Sequence, residues 1–179
     1  MATSNEDVSL YTIGHSRHTI DTFIDLAENF GISLFIDVRG QPYSRFNPQY
    51  NPERFREALA EYGIDYLWLG DRLSGRPTEA KFYGVDGKVL WHEVSRWPAL
   101  HAGITEVLER AASERLALVC AEEDPMRCHR RFLLTPPLTE RGARVLHIRG
   151  DSRLQSEEEM RSTEELAANR VQLNLFKLV

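Results

Sequence analysis

Apolar positions along this chain follow two alternating rhythms. Short, nearly continuous apolar runs lie at 8–13, 33–38, 64–69, 116–121 and 144–148. They have the length and composition of strands covered on both faces. Between them, apolar residues recur at three- and four-residue intervals, as on one face of a helix. The segment 19–30 carries Ile20, Phe23, Ile24 and Ala27 in that spacing, and 99–114 carries Ile104, Val107, Leu108 and Ala111. Asn51-Pro52-Glu53 predicts a helix start, with Asn as cap, Pro at the first helical position and an acid in the first turn. Phe55, Leu59 and Tyr62 form the buried face of that helix, and Gly63 ends it. Asp124-Pro125 predicts another start by the same logic, and Pro136-Pro137 should kink or stop the helix that follows.

This alternation predicts an α/β fold: a three-layer, mainly parallel sheet of about five strands with helices on both faces. The stretch 70–98 breaks the rhythm. It is rich in Gly, Pro and charge, has a turn at Asp86-Gly87, and reads as a covering or binding loop. No Gly/Ser/Pro linker divides the chain, so 1–179 reads as a single domain ending in a more polar, helical tail at 151–179. Within that tail, Glu157-Glu158-Glu159 reads as a solvated helix face. The final NLFKLV is more apolar than a free end and could dock on its own chain or on a second copy in a homodimer.

Composition narrows the function classes. The chain is 42% apolar and 27% charged, ordinary values that exclude collagen, low-complexity disorder and a disulfide scaffold. No apolar run reaches the ~18 residues of a membrane span. MATSNEDVSL lacks the basic start and apolar run of a signal peptide, so a cytosolic location and reduced cysteines are expected. The net charge is −5, which disfavours general attraction to nucleic acid or an anionic membrane. Yet of the 22 basic residues only Lys81, Lys88 and Lys177 are lysines. The rest are arginines, whose planar fork recognises anions bidentately. Arg54, Arg56, Arg110, Arg115, Arg161 and Arg170 read as ordinary surface residues, whereas Arg17, Arg39, Arg45, Arg127 and Arg130 fall near strand ends.

Ligands of open α/β sheets bind beyond the carboxyl ends of the strands. There this chain places Gly14-His15-Ser16-Arg17-His18, then Asp37-Val38-Arg39 with Pro42 and Ser44, then Cys120-Ala121-Glu122 followed by Pro125 and Cys128-His129-Arg130. Thr12-Ile13-Gly14-His15-Ser16 at the first of these ends, with the other two segments in this order, resembles the family catalogued as domain-of-unknown-function 488, over about residues 9–150. The resemblance implies a small α/β domain with a polar pocket made by the motifs, and no assigned activity. The Pro136-Pro137 pair departs from the family pattern, in which that helix continues.

The residues themselves suggest chemistry. Cys128 falls in the first turn of the helix expected after Asp124, where free amides and the helix dipole favour a thiolate. It is the candidate nucleophile or redox thiol, with His15 as general acid or base and Glu122 as an orienting group. The alternative is a thiol packed under the loop, and Cys120, continuing an apolar strand, reads as buried. A cysteine-phosphatase loop is excluded, because the position six after Cys120 is Met126 and Arg127 comes one residue too late. Cys120, Cys128, His129 and His15 could form a zinc set, but seven residues between the cysteines is not a usual ligand spacing. No metal and no cofactor are expected. Anion binding fits best: Arg39 and Arg130 would hold a phosphate- or nucleotide-like ligand, Asp37 and Glu122 would orient them, and Ser16, Ser44 and Arg17 would line the site. Ser44 could instead cap a turn, and the Asp37–Arg39 and Glu122–Arg130 pairs could be structural. The readings left open are a small enzyme acting on an anionic substrate, a nucleotide or nucleic-acid-end binding module, and a charged crevice without a ligand. Aromatics at Tyr43, Phe46, Tyr50, Phe82, Tyr83, Trp91 and Trp97 suit either base stacking or a loop packed on the core.

Overall fold

The computed structural model describes residues 8–165. Five strands run parallel: β1 (Ser9–Gly14), β2 (Leu34–Asp37), β3 (Asp65–Trp68), β4 (Leu116–Cys120) and β5 (Arg144–Ile148). A sixth, β6 (Leu154–Ser156), is antiparallel to β5, with Leu146 opposite Ser156 and Ile148 opposite Leu154. The sheet order is β3-β2-β4-β1-β5-β6, so β4 lies between the ends of the first two motifs.

Strand alternation divides the core. Leu116, Leu118 and Cys120 face one layer with helix α5 (Pro98–Ala111) and the later helix α6 (Thr135–Thr139). Ala117 and Val119 face the other layer with α1 (Ile20–Asn29) and α2 (Pro52–Ala60). This follows from connection handedness: β1→β2→β3 steps one way across the sheet and β3→β4→β5 steps back, so right-handed crossovers land on opposite faces. Both neighbours of β4 therefore send their chains to the face opposite its own, which makes its carboxyl end a switch point.

Local signals behave unevenly. Thr19 caps α1, its hydroxyl accepting from Thr22 N at 3.2 Å. Asn51 precedes α2 as expected, but its carboxamide accepts from Ser44 N at 2.8 Å and caps nothing. The 151–179 tail is not wholly helical. It first adds β6 to the sheet, so the count is six strands where about five were expected, and a helix then runs from 157 to 165, where the described residues end. Ser156 and Glu159 form a capping box at its start, Glu159 N to Ser156 Oγ at 3.1 Å and Ser156 N to Glu159 Oε2 at 2.7 Å. The acidic run is thus not simply solvated, since Glu157 binds Arg131 through Nε and Nη2 at 3.0 Å each. Arg170 and the NLFKLV end lie outside the described residues.

The 70–98 stretch packs on the core. It forms α3 (Gly70–Leu73) and α4 (Trp91–Val94), and Leu73, Phe82 and Val94 are buried in the α5-side cluster. Phe82 and Trp97 lie with ring centroids 5.0 Å apart. Tyr43 and Phe46 stay 63% and 79% exposed, so the packing reading holds for only part of the aromatic set. Pro136 and Pro137 lie in the first turn of α6, directly after a π-helical turn, Arg130–Leu134. Without amide hydrogens they cannot serve the carbonyls of Phe132 and Leu133, which removes two α-type bonds where the chain widens. No helix among the described residues is long and apolar enough to cross a membrane.

Gly14 marks the tightest contact between β1 and the segment leaving β4. A Cβ there would lie 1.8 Å from the Glu122 carbonyl oxygen, and backbone cannot swing aside. Gly14→Ala is expected to destabilise the protein by about 2–4 kcal/mol, read from urea unfolding midpoints at unchanged m-value.

Candidate functional site

Two polar clusters meet at the carboxyl end of β4, one on each face of the sheet. The first is built on Arg39, just beyond β2. Its Nε and Nη2 grip Asp37 Oδ1 and Oδ2 at 2.9 and 2.6 Å, Nη2 also reaches Tyr50 O at 2.8 Å, and Nη1 donates to His15 Nε2 at 3.1 Å. Asp37 accepts further from Arg39 N at 3.0 Å and Tyr66 Oη at 2.8 Å. Asp37 is fully buried and Arg39 nearly so. Burial opposes the guanidinium charge, but the Asp37 carboxylate more than restores it and raises the arginine pKa. Burial pushes the Tyr66 hydroxyl upward, and the ionised Asp37 beside it adds to that.

His15 lies against this pair. Its ring stacks on Tyr50 with centroids 4.1 Å apart, and Nδ1 donates to Ser16 O at 3.0 Å. With Nε2 accepting from a permanent cation, the neutral tautomer is fixed. Burial first, and the Arg39 charge second, bring the His15 pKa down to about 4. At neutral pH His15 is neutral, its proton on Nδ1 held by Ser16 O and its Nε2 a positioned acceptor.

The second cluster centres on Arg130, which is fully buried. Its Nε donates to Thr12 Oγ1 at 3.2 Å, and its Nη1 and Nη2 donate to the carbonyls of Glu122 and Glu123. No carboxylate bonds to it among the described residues. Thr12 Oγ1 in turn meets His147 Nδ1 at 2.8 Å, and His147 Nε2 lies 3.4 Å from Glu157. The Glu123 carboxylate is held by Arg149 at 2.9 and 3.0 Å, which fixes the same segment from outside.

Beside Arg130 stand Cys120, Cys128 and His129, whose Sγ, Sγ and ring nitrogen all lie within 4.8 Å of one another. His129 Nδ1 is 3.7 Å from Cys120 Sγ and 3.8 Å from Cys128 Sγ. A Cβ at Gly75 would meet the His129 ring at 2.6 Å, so the packed 70–98 stretch pins the imidazole. The two sulfurs divide one proton. The Cys120 thiol is held well below its ordinary range, chiefly by the hydrogen bond from Cys128, then by His129 and the Arg130 charge, against the pull of burial. The Cys128 thiol is pushed up, first by sharing its proton with Cys120 and then by burial. The downward shift falls on Cys120 and the upward one on Cys128. Asp124 caps a turn, accepting from Met126 N at 3.1 Å, but that turn is a three-residue 3-10 helix, Pro125–Arg127. Cys128 follows it in extended conformation, directly before the helical run 129–139, whose Arg131 amide donates to the Cys128 carbonyl at 3.0 Å.

Other expected site residues fall apart. Glu122 gives Arg130 only its backbone carbonyl, and its side chain is exposed, so the carboxylate–guanidinium pair does not form. Arg17, Arg45 and Arg127 are also exposed. Ser16 has a positive φ of 46° and ties to Ala121 O through its amide at 2.9 Å. Ser44 Oγ accepts from Phe46 N and Asn47 N at 3.2 Å each, closing a turn. Tyr66 and His147 have no place in the sequence reading, and Thr12 and Tyr50 enter it only as a motif residue and a loop aromatic. Thr12 and His147 had a legible signal, since each is a polar residue inside an otherwise apolar strand, and they are register partners across β1 and β5.

Because folded His15 takes up a proton only near pH 4 and an unfolded histidine does so near 6.5, the unfolded chain binds more protons in between. Stability attributable to His15 is complete above pH 6.5 and falls by up to about 3 kcal/mol as pH drops to 4. Unfolding free energies of wild type and His15→Gln at pH 7 and pH 5 check this: the drop should be smaller in the variant.

No curated protein and no solved structure matches the chain. A family model does, over residues 19–135, roughly two thirds of the chain. The Asp37–Arg39 and Cys120–Arg130 motifs, which carry both polar clusters, lie inside that match, and Thr12–Ser16 precedes it. The chain belongs to the family described as domain of unknown function DUF488.

Proposed function

We propose that the protein works through a dithiol centre, with Cys120 as the attacking thiolate and Cys128 as the resolving thiol. The observation that carries this reading is the convergence of both sulfurs and the His129 imidazole within 4.8 Å at the carboxyl end of the central strand. Positive charge from Arg130 beside a sulfur favours the nucleophilic form. Cys120 and Cys128 are 6% and 2% exposed, so the centre admits a small oxidant and excludes a bulky substrate.

A hydroperoxide is the oxidant class that fits. The Cys120 thiolate attacks one peroxide oxygen, the O–O bond breaks, and the departing oxygen takes a proton to leave as water or alcohol. Cys120 is then a sulfenic acid. The Cys128 sulfur attacks it, the S–O bond breaks, the Cys128 proton leaves with the hydroxyl as water, and a disulfide forms. Two electrons pass from the sulfur pair to the peroxide, and two external thiol equivalents return them, leaving as their own disulfide. A dithiol that must be regenerated suits a reducing compartment, which supports a cytosolic location.

The anionic-substrate reading has less support. Arg39 and Arg130 spend their donors on Asp37, on backbone carbonyls, on Thr12 and on His15, and leave no free fork for a phosphate. Peroxide treatment of the reduced protein is expected to give an internal disulfide in the wild type, none in Cys120→Ser, and a trappable sulfenic acid in Cys128→Ser. Intact-mass and peptide mapping read the three outcomes. Two thiols still free in folded wild type after excess peroxide would sink the proposal.

A further inference from the structure

We infer that Cys120 Sγ, Cys128 Sγ and His129 Nδ1 form a binding site for a thiophilic divalent cation of the zinc type, with a fourth position left for a water or an added ligand. The inference shares the sulfurs of the dithiol reading but not its chemistry.

The geometry is that of a ligand set. A tetrahedral ion with sulfurs at about 2.3 Å and an imidazole nitrogen at about 2.05 Å holds nitrogen and sulfur about 3.6 Å apart. His129 Nδ1 stands 3.7 and 3.8 Å from the two sulfurs, within a few tenths of that on both sides. The sulfurs lie within 4.8 Å of each other, so closing to the ~3.8 Å of a tetrahedral pair takes at most about 1 Å of movement.

The three ligands are also held in place. Cys120 ends β4, the most central strand of the motif edge. Cys128 and His129 sit between the capped Pro125–Arg127 turn and Arg130, whose guanidinium fastens the intervening segment. Gly75 backs the imidazole, where any Cβ would collide with the ring. His129 Nε2 is buried and bonds to nothing among the described residues, so none of them opposes the tautomer that carries its proton there and turns the Nδ1 lone pair toward the sulfurs.

The donor set selects the ion. Thiolate and imidazole suit zinc, cobalt and their softer neighbours and give magnesium or calcium nothing to bind. Two thiolates and a dication sum to zero, so a bound ion brings no net charge into the buried site. His15 cannot complete the set, because its two nitrogens are committed to Arg39 and Ser16 O. Three protein ligands with one open position is the arrangement of exchangeable zinc sites.

Cobalt(II) titration of the reduced, metal-free full chain tests this. The wild type is expected to develop a sulfur-to-cobalt charge-transfer band and tetrahedral d–d bands that saturate at one ion per chain and vanish when zinc is added. Cys120→Ser, Cys128→Ser and His129→Ala should each weaken binding at least about tenfold, with circular dichroism confirming that each variant is folded. Absence of the charge-transfer band in folded wild type would overturn the site, and so would equal affinity in a folded Cys120→Ser/Cys128→Ser double variant. Zinc should also protect both cysteines from peroxide. If peroxide still forms the disulfide in a chain that binds no cobalt, the metal inference fails alone; if cobalt binds and no disulfide ever forms, the redox reading fails alone.

Discussion

The fully buried guanidinium of Arg130 is the interaction on which the rest of the site depends. Removing such a cation from water costs several kcal/mol unless its donors are met. Here they are met by one hydroxyl of β1 and two carbonyls of the segment leaving β4. Those three contacts join the first strand, the central strand and the π-helical turn in one knot. They also leave the positive charge without a bonded carboxylate among the described residues, and its field acts on the sulfurs of Cys120 and Cys128 and on the Glu123 carboxylate. A buried thiolate is costly by itself, and so is a buried unpaired guanidinium. Placed side by side, each lowers the cost of the other.

The two clusters beyond the strand ends solve the same problem differently. Arg39 has a dedicated carboxylate, Asp37, two residues before it on the same strand end, and the pair is complete without any ligand. His15 then reads the Arg39 cation as a donor and stays neutral. On the other face, Arg130 has no such acid, and the two sulfurs are shifted in opposite directions, Cys120 down and Cys128 up. Reactivity collects on the side where the charge balance is left open, which is why the sulfur cluster rather than the arginine–aspartate cluster carries the functional proposals.

Much of the fold is legible in the sequence. Near-continuous apolar runs mark the five parallel strands within a residue or two, because four of them are almost wholly buried, and only the edge strand β3 is partly exposed. The sixth strand is not legible. Leu-Gln-Ser is too short to show a period, and it forms only because the exposed edge of β5 is there to receive it. The site is legible in its membership more than in its assignments. The motifs at the strand ends named Cys128, His15, Arg39, Asp37 and Arg130 correctly as residents of one edge. Their roles depended on things no spacing records. Asp124-Pro125 signals a helix start equally well for a three-residue turn and for a long helix, and here it opens only the Pro125–Arg127 turn, with Cys128 between that turn and the helical run that follows. Likewise, Glu122 lies at the right place in sequence to pair with Arg130, but the chain turns so that its carbonyl faces inward and its carboxylate faces water.

The arginine excess takes a different meaning in this light. Arginines near strand ends in an acidic chain suggested a pocket waiting for an external anion. Two of the five candidates, Arg39 and Arg130, are buried and the other three are exposed, so they do not converge on one ligand. The buried two act as internal fasteners. A guanidinium is suited to that work because its five donors can serve several chain segments at once and its charge cannot be titrated away. Lysine, a single rotatable point charge, could not hold Thr12, Glu122 and Glu123 together. In the dithiol proposal the anion beside Arg130 is one the chain makes for itself, a cysteine thiolate at the end of its central strand. Anything that consumes that thiolate, whether an oxidant or a metal ion, therefore alters the charge balance at the point where β1, β4 and the π-helical turn are tied together.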